Sequence, residues 1–167
     1  ATADMAVPPG RVMYTQFLNQ VGGVEADLTI TRLAHDRYLI VTPAFTSTHI
    51  QAWMAEHTPA AAHCAVTDIS GGYAMLNIQG PNARALLSAS CDADFSNEAF
   101  PFGSAREVES GYQQALVLRV SYSGELGFEL YVPTEMAVAV YDRVVAAGSD
   151  FGLRHCGYHT LNTVRIE

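Results

Sequence analysis

Residues 12–33, VMYTQFLNQVGGVEADLTITRL, carry two runs of alternating character on either side of a glycine pair. VMYTQFL at 12–18 alternates loosely and predicts a strand. DLTITRL at 27–33 alternates with β-branched residues on one face and predicts a second. Gly22-Gly23 signals the turn between them, so the pair reads as a hairpin with a longer loop. RYLIV at 37–41 adds a third short strand.

Outward from this hairpin the pattern changes period. Pro43 breaks the extended run, and Thr46 or Ser47 is placed to cap a helix reaching about His57, with Ile50, Trp53 and Met54 as its apolar stripe. CAVTDI at 64–69 and AMLNIQG at 74–80 read as two strands around Ser70-Gly71-Gly72. PNARALLSA at 81–89 predicts a helix with proline in its first turn, where a missing N–H does no harm. Residues 91–111 are polar and read as irregular. ALVLRVSYS and ELGFELYVP form a strand pair about a glycine turn; Thr134 is then placed to cap a long amphipathic helix closed by Gly148, and 156–167 is again helical. The order strand, strand, strand, helix, strand, strand, helix, strand, strand, helix, helix indicates an α+β fold of mixed, largely antiparallel sheets with packed helices. It is expected to form one partial domain of two lobes meeting at roughly 90–111, cut from a longer chain, since TVRIE ends the sequence within a helical pattern.

Composition narrows the class. The 167 residues are 49% apolar and 16% charged, enough core material for a globular domain. A net charge of −8 with nine scattered Lys and Arg argues against a nucleic-acid backbone as partner, which needs clustered cations. Cys64, Cys91 and Cys156 are odd in number and far apart, so a reducing compartment is the simpler reading. ATADMAVPPG at 1–10 has neither the charged nor the apolar region of a leader, and no window has the length of a membrane span.

Conventional catalytic signatures are missing: no GxSxG, GxxxxGK(S/T) or HExxH occurs. GGYAMLNIQGPNARALL is too poor in glycine for a phosphate cradle and reads as a strand-to-helix turn. His155 and His159 beside Cys156 have acceptable metal spacing but no further ligand, so no metal is expected. His57 and the His63-Cys64 pair read as solvated loop residues, and Trp53 as core.

A resemblance carries the reading further. GRVMYTQFLNQVGGVEADLTITRL, NIQGPNARALL, SNEAFPFGSAREVESGY, RVSYSGELGFELYVPTEMAVAVYDRVVAAG and GLRHCGYHTLNTVRIE follow one another in the order of a known region. Together they resemble the folate-binding domain of the glycine-cleavage aminomethyltransferase family. The resemblance is closer to its form fused behind a flavin dehydrogenase, as in sarcosine and dimethylglycine dehydrogenases, and it spans nearly the whole chain from Gly10. It implies a pterin site for tetrahydrofolate, whose N5 and N10 receive a one-carbon unit. Asp27 would then be the catalytic acidic residue near N10, where a carboxylate can orient the nitrogen and stabilise developing positive charge. Tyr14 would line the site and stack on a flat ring. Glu129 would grip the guanidine-like edge of the pterin, with Tyr122 at the mouth and Thr29 as a further folate contact.

Each of these residues has a plainer reading. Asp27 can cap a strand start or pair with Arg32, Tyr14 can simply pack, and the YSGELGFE carboxylates can form a charged hairpin tip, which suits Glu125 better than Glu129. The chain also departs from the family pattern, with Leu161 where a folate-holding arginine would fall and Thr42 or Pro43 where a pocket asparagine would. Arg165 matches a different arginine. The resemblance implies a one-carbon transfer domain within a larger enzyme, active on an N-methyl amine, with reduced folate and the flavin module of the same polypeptide as partners. FAD would belong only to that module. The expected location is bacterial cytoplasm or mitochondrial matrix. A folate-binding regulatory or structural module, or a folate-dependent demethylase, stands as the alternative.

Overall fold

The computed structural model describes residues 1–166 and divides into two units, 1–69 and 70–167. The first unit holds β1 (Val12–Leu18), β2 (Val24–Arg32) and β3 (Tyr38–Val41) in an antiparallel sheet of order β1-β2-β3, followed by α1 (Ser47–His57). The β1–β2 turn needs Gly22, at φ +82°, and is closed by the Asn19 side chain, whose Oδ1 accepts the backbone N–H groups of Val21 and Gly23. Because side chains alternate along a strand, Ala26, Leu28 and Ile30 all point to one face. There they meet Ile50 of α1, with Phe17, Ile40 and Met54 around them.

The second unit begins with β4 (Tyr73–Gln79) and α2 (Ala83–Ser90). It continues through β5 (Ala105–Ser110), β6 (Gln113–Leu118), β7 (Gly127–Pro133), α3 (Ala137–Gly148) and α4 (Tyr158–Val164). The sheet order is β4-β7-β6-β5, with every neighbouring pair antiparallel. Phe128, Leu130 and Val132 of β7 are fully buried against Leu86 and Leu87 of α2 and Val140 and Val144 of α3. Phe128 packs its edge against Phe95 and Phe100, with ring centroids 5.5 and 5.9 Å away.

The α+β class and the antiparallel sheets stand as the alternation predicts, but two strands change places. CAVTDI forms no strand: residues 64–69 are exposed and no ladder reaches them. A strand appears instead inside the stretch read as irregular, as AREVES pairs along β6 from Ala105↔Leu118 to Ser110↔Gln113. Its buried positions are Ala105, Val108 and Ser110, two of them too small or polar to signal a strand. Arg106, Glu107 and Glu109 face outward on what is an edge strand, where charge discourages further pairing. The division at 69/70 also differs from lobes meeting at roughly 90–111. That stretch belongs to the second unit, because Cys91, Phe95 and Phe100 are built into its core.

Helix boundaries shift for local reasons. Thr46 donates its hydroxyl to Pro43 O rather than capping α1. α2 starts at Ala83, leaving Pro81 outside it. Thr134 opens a short 3-10 turn and donates to Gly71 O at 3.0 Å, so α3 starts at Ala137. Gly148 is the last residue of α3, and the left-handed residue is Gly152, further along the chain. Gly148 serves close packing instead, since a Cβ there would lie 2.7 Å from Leu153 Cβ. Trp53 is half-buried and stacked on His57 at 3.9 Å, beside the core rather than in it.

Truncating Phe128 to alanine removes a fully buried ring that packs against both Phe95 and Phe100, and leaves a cavity. A loss of about 3–5 kcal/mol is expected, read as a lower urea midpoint for the second unit. A shift below about a third of that would mean the core collapses into the space.

Candidate functional site

On the first unit, the face of the β1–β2 hairpin opposite the Ile50 cluster carries the predicted residues. Antiparallel register places Tyr14 opposite Thr29 and Gln16 opposite Asp27, and directly paired residues share a face. Tyr14 is 65% exposed, Asp27 is exposed and Thr29 is half-buried. The Gln16 side-chain N–H donates to Asp27 Oδ1 at 3.1 Å. Arg32 does not pair with Asp27: its guanidinium donates to the carbonyls of Val7, Ala34 and His35. Nor does Asp27 open a strand, as β2 already runs from Val24. Both plainer readings of Asp27 therefore fail. Gln16 was not singled out by the sequence; its signal is the period of two from Tyr14, which becomes meaningful once the hairpin register is known.

On the second unit, Glu129 sits in the middle of β7 between buried Phe128 and Leu130, on the opposite face of the sheet. Its cross-strand neighbours are Asn77 of β4 and Leu118 of β6. Tyr131, two residues along and on the same face, donates its hydroxyl to Glu129 Oε2 at 2.7 Å. Burial pushes the Glu129 carboxyl above its ordinary range, and the Tyr131 hydrogen bond opposes that shift. The Tyr131 phenol is pushed strongly upward, first by burial and then by the charge of Glu129, so it stays a donor at neutral pH. Glu125, by contrast, is exposed in the turn before β7, as a charged hairpin tip should be.

Tyr122 lies in that same connection. Arg165 Nη1 donates to its hydroxyl at 2.6 Å, the guanidinium stands 4.9 Å from the ring centroid, and the hydroxyl reaches Asn162 of α4 at 3.3 Å. Its hydroxyl is thus engaged by the C-terminal segment rather than by Glu129. The connection is fixed from below by Gln79, whose Oε1 accepts from the Ser123 hydroxyl and whose Nε2 donates to Asn77 Oδ1 at 2.8 Å. Gly127 permits this close approach, because a Cβ there would stand 2.6 Å from Val120 O. Within each unit the predicted residues are therefore placed by regular structure: Tyr14, Asp27 and Thr29 by one hairpin, Glu129 and Tyr122 by β7 and the turn leading to it.

Among the described residues, no three His, Cys, Asp or Glu side chains are grouped to hold a metal. His155 Nε2 lies 3.0 Å from the Tyr141 hydroxyl. No helix among the described residues is long and apolar enough to cross a membrane.

The family model described as the GCVT N-terminal domain matches residues 1–167. The chain belongs to this family. The relatives of this GCVT N-terminal domain are larger proteins. It is 44% identical over its full length to the 4-methylaminobutanoate oxidase (formaldehyde-forming) of Paenarthrobacter nicotinovorans, covering 20% of that protein. It is 37% identical to human mitochondrial sarcosine dehydrogenase, with 99% of this chain and 20% of the relative covered. The chain thus spans about a fifth of the length of these relatives. Among solved structures, glycine cleavage system aminomethyltransferase T from Bartonella henselae superposes with a TM-score of 0.79 at 25% identity, over 96% of this chain and 41% of that one.

The raised carboxyl of Glu129 sets a pH dependence. Its folded pKa lies above the unfolded value, so the stability tied to it is fully present below the unfolded pKa, about 4.3. It is lost as pH rises through the folded pKa. Glu129→Gln is therefore expected to gain stability relative to the parent as pH rises through this window, measured by urea unfolding at a series of pH values. A constant difference between the two proteins across that series would show that Glu129 titrates normally.

Proposed function

We propose that this GCVT N-terminal domain binds tetrahydrofolate and transfers a one-carbon unit within a larger N-methyl amine dehydrogenase of the sarcosine or dimethylglycine type. The observation that carries this reading is the exposed hairpin face on which Asp27, Tyr14 and Thr29 stand together, away from the core of their unit. A carboxylate, an accessible aromatic ring and a hydroxyl on one face can stack on a flat ring and hydrogen-bond its N–H groups. The second unit, taken by itself, also carries a group suited to a pterin. Glu129 offers a half-buried carboxylate, and a guanidine-like pterin edge presents two parallel N–H donors to such an acceptor.

In this reading Tyr14 stacks on the ring and Thr29 adds a hydrogen bond. Asp27, steadied by the Gln16 amide, holds the reacting nitrogen and offsets the positive charge that develops there. Bound tetrahydrofolate supplies N5 and N10 as acceptors of the one-carbon unit. That unit comes from the N-methyl group oxidised by a flavin module of the same polypeptide, with FAD confined to that module; condensation with formaldehyde releases one water. The relative whose name records formaldehyde formation supports this source. The oxidase activity belongs to the larger protein, and 1–167 alone is expected to be inactive. The three free cysteines suit a reducing compartment, bacterial cytoplasm or mitochondrial matrix.

The test uses the full-length protein. Asp27→Ala should leave amine oxidation unchanged while lowering methylene-tetrahydrofolate formation by about a hundredfold or more. Unchanged yield would remove Asp27 from the chemistry. Folate binding without any coupled product in the parent protein would instead mark a binding module that performs no transfer.

A further inference from the structure

We propose that Tyr131 is the positioning residue of the folate-gripping carboxylate: its hydroxyl holds Glu129 in the plane and charge state that a pterin edge needs. This rests on the role given to Glu129 in the preceding reading and assigns the residue that makes that role workable.

The argument begins with strand geometry. Glu129 and Tyr131 are two apart on β7 and share the face turned away from the Phe128 core. Tyr131 is only 8% exposed, and its backbone is paired on both sides, with Met75 of β4 and Leu116 of β6. A ring held this way has little freedom, so the hydroxyl at its tip is a fixed donor. It meets Glu129 Oε2 at 2.7 Å, the length of a strong O–H bond to a carboxylate.

The cross-strand neighbours differ in what they offer. Leu118, opposite Glu129 on β6, has no polar atom to offer. Asn77, opposite it on β4, accepts from Gln79 Nε2, and the Glu129 carboxylate takes its hydrogen bond from the Tyr131 hydroxyl. The terminal torsion of a glutamate is otherwise broad, and an unanchored carboxylate would rotate through many orientations. One donor on Oε2 fixes the plane and still leaves a lone pair on that oxygen and both on Oε1, which is what two parallel ligand donors require.

Charge matters as much as direction. Burial favours the protonated carboxyl, which would offer a proton to the ligand where an acceptor is needed. Tyr131 counters this by donating to the charged form. The same burial keeps its own phenol protonated, so it does not lose the proton it donates.

The test measures affinity for 5-formyltetrahydrofolate across pH by calorimetry in the full-length protein, its Tyr131→Phe and Glu129→Gln variants, and protein carrying 3-fluorotyrosine at 131. The ligand's own titration is common to all four. Affinity of the parent should fall as pH drops and Glu129 takes up its proton. Tyr131→Phe, which deletes one oxygen, should weaken binding about tenfold at neutral pH and move the midpoint of that fall up by about one pH unit. The fluorinated ring, a stronger donor that leaves the packing intact, should move the midpoint down, and this arm decides the matter if the phenylalanine variant folds poorly. Glu129→Gln should bind weakly and without that pH dependence. If Glu129→Gln weakens binding but neither ring change moves the midpoint, Tyr131 is a packing residue and the role of Glu129 stands. If Glu129→Gln binds as the parent does, the role of Glu129 fails and the positioning role fails with it.

Discussion

The alternation of side chains along β7 is the constraint on which the second unit depends. In GFELYVP every second residue, Phe128, Leu130 and Val132, enters the core between the sheet and helices α2 and α3. The residues between them, Glu129 and Tyr131, have no choice but the other face. A slip of one residue would bury a carboxylate among phenylalanines and expose three large apolar groups. The hydrophobic demand of the core thus sets the direction in which the candidate ligand-binding carboxylate points, and the packing energy of Phe128 and its neighbours holds it there.

The first unit obeys the same rule with a different distribution. Ala26, Leu28 and Ile30 face Ile50, and the intervening Asp27 and Thr29 fall on the open face, opposite Gln16 and Tyr14. Here the candidate face remains accessible, so its polar groups keep water as an alternative partner and need fewer internal hydrogen bonds. On β7 the carboxylate is half-buried, and an unsupported charge there would be costly. Tyr131 offsets part of that cost. The two candidate carboxylates therefore live in different dielectric surroundings.

Polar side chains do much of the remaining placement. Arg32 directs its guanidinium to three carbonyls, which frees Asp27 from the partner nearest in sequence. Gln79 ties the 121–124 turn to β4, and Gly127 lets Val120 O come close enough for that turn to seat against the strand. Arg165 and Asn162 then hold Tyr122 from the C-terminal segment. Membership of the GCVT N-terminal domain family accounts for the arrangement as a scaffold; these contacts state how this chain realises it.

Much of this was legible in the amino-acid order. Alternation with large side chains marked β1, β2, β4 and β7, and the glycine pair marked the first turn. The segments shared with the aminomethyltransferase family pointed to the right family and singled out Asp27, Tyr14 and Glu129. β5 was hidden because its inward residues are alanine, valine and serine, whose burial depends on β6 lying alongside. CAVTDI looked like a strand but pairs with no strand among the described residues, and a strand exists only where a neighbour accepts its hydrogen bonds. Thr134 turned to the distant carbonyl of Gly71, which local propensity does not register, while Thr46 turned back to Pro43 O just before its helix. Local sequence determined which residues alternate and which chemical groups are available, since both follow from side-chain size and backbone preference. Tertiary structure decided which of those groups meet, Gln16 with Asp27 and Arg165 with Tyr122, because register and burial arise only when the strands pair and the core closes.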